Sequence, residues 1–140
     1  LLEPFELLML GEVSVTPYLA GHLLGAVSYR LEATGGNVFH SGDVSNTGGY
    51  LTAAAYIPEN TPCDVVVCES TYGDTISHVS RKSEVKRFAE AVGRTLRQGG
   101  RVLIPAFALG RSTEVALTLA DHMQGGLIPK RPSYSTAWCG

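Results

Sequence analysis

Residues 64–73 read Asp64-Val65-Val66-Val67-Cys68-Glu69-Ser70-Thr71-Tyr72-Gly73, and this run decides how the rest of the chain is read. Three consecutive β-branched valines lack the apolar–polar alternation of a half-solvated strand. They predict a strand buried on both faces, as in a parallel sheet covered by helices. The run stops at an acid, two hydroxyl residues, a tyrosine and a glycine. Glu69 should therefore emerge at the carboxyl edge of that sheet, where ligands bind in open α/β folds. Ser70, Thr71 and Gly73 add hydroxyls and backbone N–H groups. A turn or capping role is the alternative for Glu69.

Downstream the pattern turns helical. Ser80 is a candidate N-cap for a helix whose apolar residues Val85, Phe88, Ala89, Val92 and Leu96 recur at helical spacing, with Lys82, Lys86, Arg87, Arg94 and Arg97 mostly on other faces. Gly99-Gly100 should end it. Val102–Phe107 predicts a second buried strand, a helix follows from about Arg111 to Met123, Gly125-Gly126 stops it, and Pro132–Thr136 is a candidate third strand. Strand, helix, strand, helix, strand implies a parallel sheet with crossover helices. At the second strand-to-helix turn, Gly110-Arg111 could face a phosphate at a helix N-terminus, or Arg111 could simply brace the loop.

Upstream the character differs. Glu12–Thr16 alternates, with Val13 and Val15 on one face, and Pro17 and Ala20-Gly21-His22 should interrupt it. Ala26–Ala33 alternates again, with Val27, Tyr29 and Leu31 on one face and polar residues on the other. Gly35-Gly36-Asn37 suits a hairpin turn, and Val38–Ser41 returns. Gly42 to Gly49 is a loop. The expectation is an antiparallel meander. Within it, His22 sits among glycines and apolar residues just past a strand, with room to face a ligand such as zinc or to rest on a backbone carbonyl. Asp43 follows a strand in Ser41-Gly42-Asp43, suited either to metal binding or to a turn. His40, His78 and His122 show no ligand-like spacing and read as structural or solvated. Cys63 and Cys68 read as packing residues.

The 140 residues, 44% hydrophobic and 17% charged, have the composition of a folded domain, neither disordered nor fibrous. No apolar run is long enough to span a bilayer, so no membrane role is expected. LLEPFELLML at the start carries two Glu and no basic residue, the wrong flank for a secretory signal. Three cysteines are too few for a disulfide scaffold, and a reducing, cytoplasmic setting is expected. The net charge of −2 conceals a division. Residues 1–78 carry one basic residue, Arg30, and nine acidic ones, a net of −8, whereas residues 79–140 carry ten basic and four acidic, a net of +6. Such asymmetry suits cation chemistry in one part and polyanion contact in the other, or two solvated faces of one domain.

Taken in order, Tyr18-Leu19-Ala20-Gly21-His22-Leu23-Leu24-Gly25-Ala26, Ser41-Gly42-Asp43, Glu69-Ser70-Thr71-Tyr72-Gly73 and Val102–Arg111 resemble the metallo-β-lactamase-fold nucleases of the β-CASP family. That family includes ribonuclease J enzymes and the nuclease that cleaves messenger RNA 3′ ends. The resemblance implies an α/β fold: part of a metallo-β-lactamase αββα sandwich over residues 1–78, then the start of an inserted β-CASP domain, with parallel strands and crossover helices, over residues 79–140. It implies that His22 is a zinc ligand, that Asp43 bridges two zinc ions, and that Glu69 is the acidic catalytic residue of the first β-CASP motif. The function implied is hydrolysis of phosphodiester bonds, in RNA first, by hydroxide activated between two Zn2+ ions, with the basic segment neutralising the nucleic-acid backbone. A homo-oligomer or a processing complex is the expected assembly.

His-x-His-x-Asp-His, which supplies most of that family's zinc ligands, does not occur in the 140 residues, nor do the later motif histidines. The expectation is an internal fragment of two incomplete domains, inactive by itself because two ligands do not close a zinc site. Two other functions fit the same motifs: a non-catalytic subunit that scaffolds an RNA-processing assembly, and a nuclease acting on DNA.

Overall fold

The alternating segments upstream of residue 41 form a sheet. The computed structural model describes residues 4–59 and 62–132. Five strands, β1 (Leu8–Leu10), β2 (Val13–Leu19), β3 (Val27–Ala33), β4 (Gly36–His40) and β5 (Val65–Val67), lie side by side in chain order. The first four pair antiparallel, as the meander required, and β4 pairs with β5 in parallel. Ala33 opposite Gly36 leaves Thr34-Gly35 as the two-residue turn of the β3–β4 hairpin. The three-residue β1 is too short to show a period and went unforeseen.

β2 continues through Pro17 to Leu19 instead of stopping there. Proline lacks a donor, but the last β1–β2 pair is Leu8 with Val15, so Pro17 lies beyond the end of β1. Only its carbonyl is used on that side, accepting the Phe5 N–H at 2.7 Å. Val15, Pro17 and Ala20 are buried on this strand and its extension. Tyr18 packs with Phe5, Tyr56 and Phe39 at ring-centroid distances of 5.8–6.3 Å, and Phe5 meets Tyr56 at 5.2 Å.

β5 does not carry the double burial its valines predicted. Val65, Val66 and Val67 are 52%, 63% and 46% exposed. The strand holds only three residues and is paired on one side, by β4, and its unit contains no helix among the described residues to cover it. Cys68, next in the chain, is exposed rather than packed; Cys63 is half-buried with its thiol on the Val65 carbonyl at 3.0 Å.

The chain divides into two compact units between Asp74 and Thr75; the sequence reading placed the change at 78/79. In the second unit, α1 spans Arg81–Arg97 and α2 spans Arg111–Gln124. Ser80 caps α1, its hydroxyl accepting the Ser83 N–H at 3.2 Å. At the other end Gly99, at φ 78°, lets its own N–H reach Leu96 O and the Gly100 N–H reach Thr95 O, satisfying carbonyls the helix leaves open. Gly126 and Leu127 close α2 in the same way on Met123 O and His122 O. Ala89, Val92 and Ile128 form the core of this unit, packed by Phe88, Leu96, Leu119, Met123 and Leu127.

Residues 102–107 are not a strand. Leu103 and Phe107 are 94% and 84% exposed, and no strand occurs among the described residues of this unit to offer a ladder partner. Without one, an isolated extended segment has nowhere to place its backbone hydrogen bonds. The parallel sheet with crossover helices expected over residues 79–140 is therefore not found among the described residues of that stretch, which hold two helices and no strand. The candidate strand at Pro132–Thr136 falls outside the described residues. No helix among the described residues is long and apolar enough to cross a membrane.

Candidate functional site

Strand direction assembles the site. β2 is antiparallel to β3 and β3 to β4, while β4 and β5 are parallel. The carboxyl ends of β2, β4 and β5 therefore lie along one edge of the sheet. His22 comes three residues after β2, Asp43 three after β4 and Glu69 two after β5. Three motifs distant in sequence thus meet at one edge, all within the first unit.

An isolated antiparallel bridge joins Gly21 to Val44. The bridge brings together the backbones of the two loops that carry His22, next to Gly21, and Asp43, next to Val44. His22 is half-buried and Asp43 exposed. The bridge needs glycine. Gly21 has φ 71°, and a Cβ there would lie 2.5 Å from both Ala55 N and Ser45 O. The backbone around it is continuous in its bonding: Ser45 N–H donates to Ala20 O (2.8 Å), Ala55 N–H to Ser45 O (2.7 Å), Tyr56 N–H to Leu19 O (2.8 Å), and the Thr52 hydroxyl to Gly21 O (3.1 Å).

Glu69 joins this edge through its carboxylate. Oε1 accepts the Val44 N–H at 2.8 Å, and the Glu69 N–H donates to Ser41 Oγ at 3.1 Å. Its carboxyl is held below the usual carboxylate range, first by the Thr71 hydroxyl, then by the Val44 N–H, with the Thr71 backbone and the charge of nearby His22 adding to them and partial desolvation opposing. Ser41 is 3% exposed; its N–H donates to Val67 O (2.9 Å) and its hydroxyl to Gly42 O (2.6 Å). Ser28, read from the alternation as outward and polar, is instead 1% exposed and donates to Ser41 O at 2.7 Å. Neither serine stood out in the sequence. The only signal for Ser41 is its place beside Gly42-Asp43.

The other candidates are satisfied locally. His40 Nδ1 accepts the Gly42 N–H (3.1 Å), and His122 Nδ1 lies 2.7 Å from Thr118 O. Arg111 pairs with Glu114 at 3.1 Å, and Glu114 also receives Arg81 at 3.3 Å. The Arg111–Glu114 pair lies within α2 and leaves the Arg111 side chain about half exposed, at 52%.

Imidazole and carboxylate are both donors that a zinc centre takes. Among the described residues, however, no group of three or more His, Cys, Asp and Glu side chains is placed to hold a metal ion. The pair falls short of the three or four protein donors a zinc site takes.

No family model matches the chain. Individual proteins do. It is 39% identical over 113 residues to Endoribonuclease YSH1 of Gibberella zeae, covering 81% of this chain and 13% of that protein. It is 42% identical over 115 residues to Endoribonuclease ysh1 of Schizosaccharomyces pombe, covering 82% and 15%. It is 43% identical over 104 residues to Cleavage and polyadenylation specificity factor 73 of Drosophila melanogaster, covering 74% and 15%. The chain is thus homologous to a segment of these proteins, which are of the β-CASP metallo-β-lactamase-fold type that its motifs resemble. It spans about 13–15% of the length of these relatives.

Proposed function

We propose that the protein carrying this segment is a metal-dependent endoribonuclease that hydrolyses phosphodiester bonds in RNA as part of an RNA-processing complex. The observation that carries the reading is the Gly21–Val44 bridge, which joins the loops bearing His22 and Asp43 at the edge where Glu69 also emerges. The names of the relatives support the substrate: two are endoribonucleases and one a cleavage and polyadenylation factor.

His22 and Asp43 would hold metal, with zinc as the ion and two ions per site, completed by donors other than the described residues. When bound, such a centre supplies Lewis acidity toward water and toward phosphate oxygens. Glu69 holds the backbone at Val44, next to Asp43, and keeps a negative charge near His22. The basic residues of 79–140 would neutralise the nucleic-acid backbone.

The test is cleavage of labelled RNA and labelled DNA by the full-length protein, with metal content measured alongside. RNA cleavage that stops on chelation, returns with zinc, and is lost in His22→Ala and Asp43→Ala supports the reading. Full activity in a metal-free preparation, or preferential cleavage of DNA, would overturn it.

A further inference from the structure

We propose that Ser41, backed by Ser28, is a positioning residue for Asp43; the proposal rests on the reading of Asp43 as a metal ligand. Ser41 is 3% exposed and every polar atom it has is engaged. Its N–H donates to Val67 O at 2.9 Å, tying it to the end of β5. Its carbonyl accepts the Ser28 hydroxyl of β3 at 2.7 Å. Its own hydroxyl donates to Gly42 O at 2.6 Å and accepts the Glu69 N–H at 3.1 Å.

That last pair of bonds requires a hydroxyl. Gly42 O needs a donor and Glu69 N–H needs an acceptor, and one Oγ serves both. Alanine serves neither, and a carboxylate accepts only. The chain then turns at Gly42, φ 57°, passes Asp43, and is caught again at Val44, whose N–H is held by Glu69 Oε1 at 2.8 Å. The backbone is thus fixed on both sides of Asp43, while the Asp43 side chain itself is exposed. Ser41 touches neither metal nor substrate. It fixes the backbone from which Asp43 projects, a supporting role like that of partners behind metal ligands elsewhere, whose loss costs about 10–100-fold in metal affinity.

The experiment compares Ser41→Ala, Ser28→Ala and Asp43→Ala with the wild type, all as full-length protein. It measures zinc affinity by chelator competition, kcat and KM on labelled RNA, and Tm of the metal-free form. Ser41→Ala should bind zinc about 10–100-fold more weakly and lose kcat with KM little changed. Ser28→Ala, which removes a single bond to the Ser41 carbonyl, should show the same pattern more weakly and keeps the test open should Ser41→Ala fold poorly. Zinc affinity and kcat in both serine variants equal to wild type, or losses that vanish once corrected for the folded fraction, would overturn the positioning role alone, provided Asp43→Ala has lost zinc. A wild type without zinc, or an Asp43→Ala that keeps it, would sink the metal-centre reading first and this proposal with it.

Discussion

Gly21 and Val44 form an isolated antiparallel bridge at the carboxyl edge of the sheet, joining the loop that carries His22 to the loop that carries Asp43. Neither loop is regular secondary structure, so their spacing is set by this bridge together with the Ser45–Ala20 and Thr52–Gly21 hydrogen bonds.

Gly21→Ala tests the bridge. The added methyl would meet Ala55 N and Ser45 O at 2.5 Å, backbone atoms that do not swing aside, at a φ of 71°. Strain and overpacking together should cost about 2–5 kcal/mol. Denaturant unfolding of the full-length protein should show that loss, and zinc content should fall with it.

His22→Ala and Asp43→Asn should each reduce RNA cleavage at least about 100-fold, the upper range for merely supporting partners of metal ligands, while Tm of the metal-free protein changes little. Inductively coupled plasma measurement of bound zinc is the accompanying check. The 140-residue chain alone, with one imidazole–carboxylate pair, should neither retain zinc through gel filtration nor cleave RNA.

Glu69 introduces a pH dependence of known sign. Its folded pKa lies below the ordinary carboxylate value of 4.5. It therefore contributes stability that is fully present above 4.5 and is lost as pH falls through the lower, folded value. Glu69→Gln keeps the side chain's size without the titrating charge. The stability gap between wild type and Glu69→Gln, from urea midpoints at a series of pH values, should be widest near neutrality and narrow on acidification below 4.5.

Ser80→Ala removes the side-chain acceptor for the Ser83 N–H at the start of α1 and should cost about 1 kcal/mol, with Ser80→Asp near wild type. Thermal unfolding followed by circular dichroism resolves that difference.

Arg111→Ala should leave the salt dependence of RNA binding unchanged and cost no more than about 1 kcal/mol of stability, because Arg111 is spent on an exposed pair with Glu114. A salt slope reduced by about one unit would instead place Arg111 on a phosphate.

Sequence by itself determined the local features, because each rests on neighbours a few residues apart. The meander follows from period-two alternation and the two helices from apolar spacing ended by paired glycines, while the β3–β4 turn, expected at Gly35-Gly36-Asn37, falls at Thr34-Gly35 because Gly36 and Asn37 already pair in β4. The family was legible for a related reason: its motifs are short, ordered loops at strand ends. Long-range pairing was not legible. Val65–Val67 and 102–107 are equally apolar, yet only the first is a strand, since β4 offers it hydrogen-bond partners and nothing described offers any to the second. Burial followed the same rule, exposing the valines of β5 and hiding Ser28 and Ser41. Likewise, His22, Asp43 and Glu69 were separate candidates in the sequence. Only the common direction of β2, β4 and β5, and one bridge between loops, brings them to a single edge.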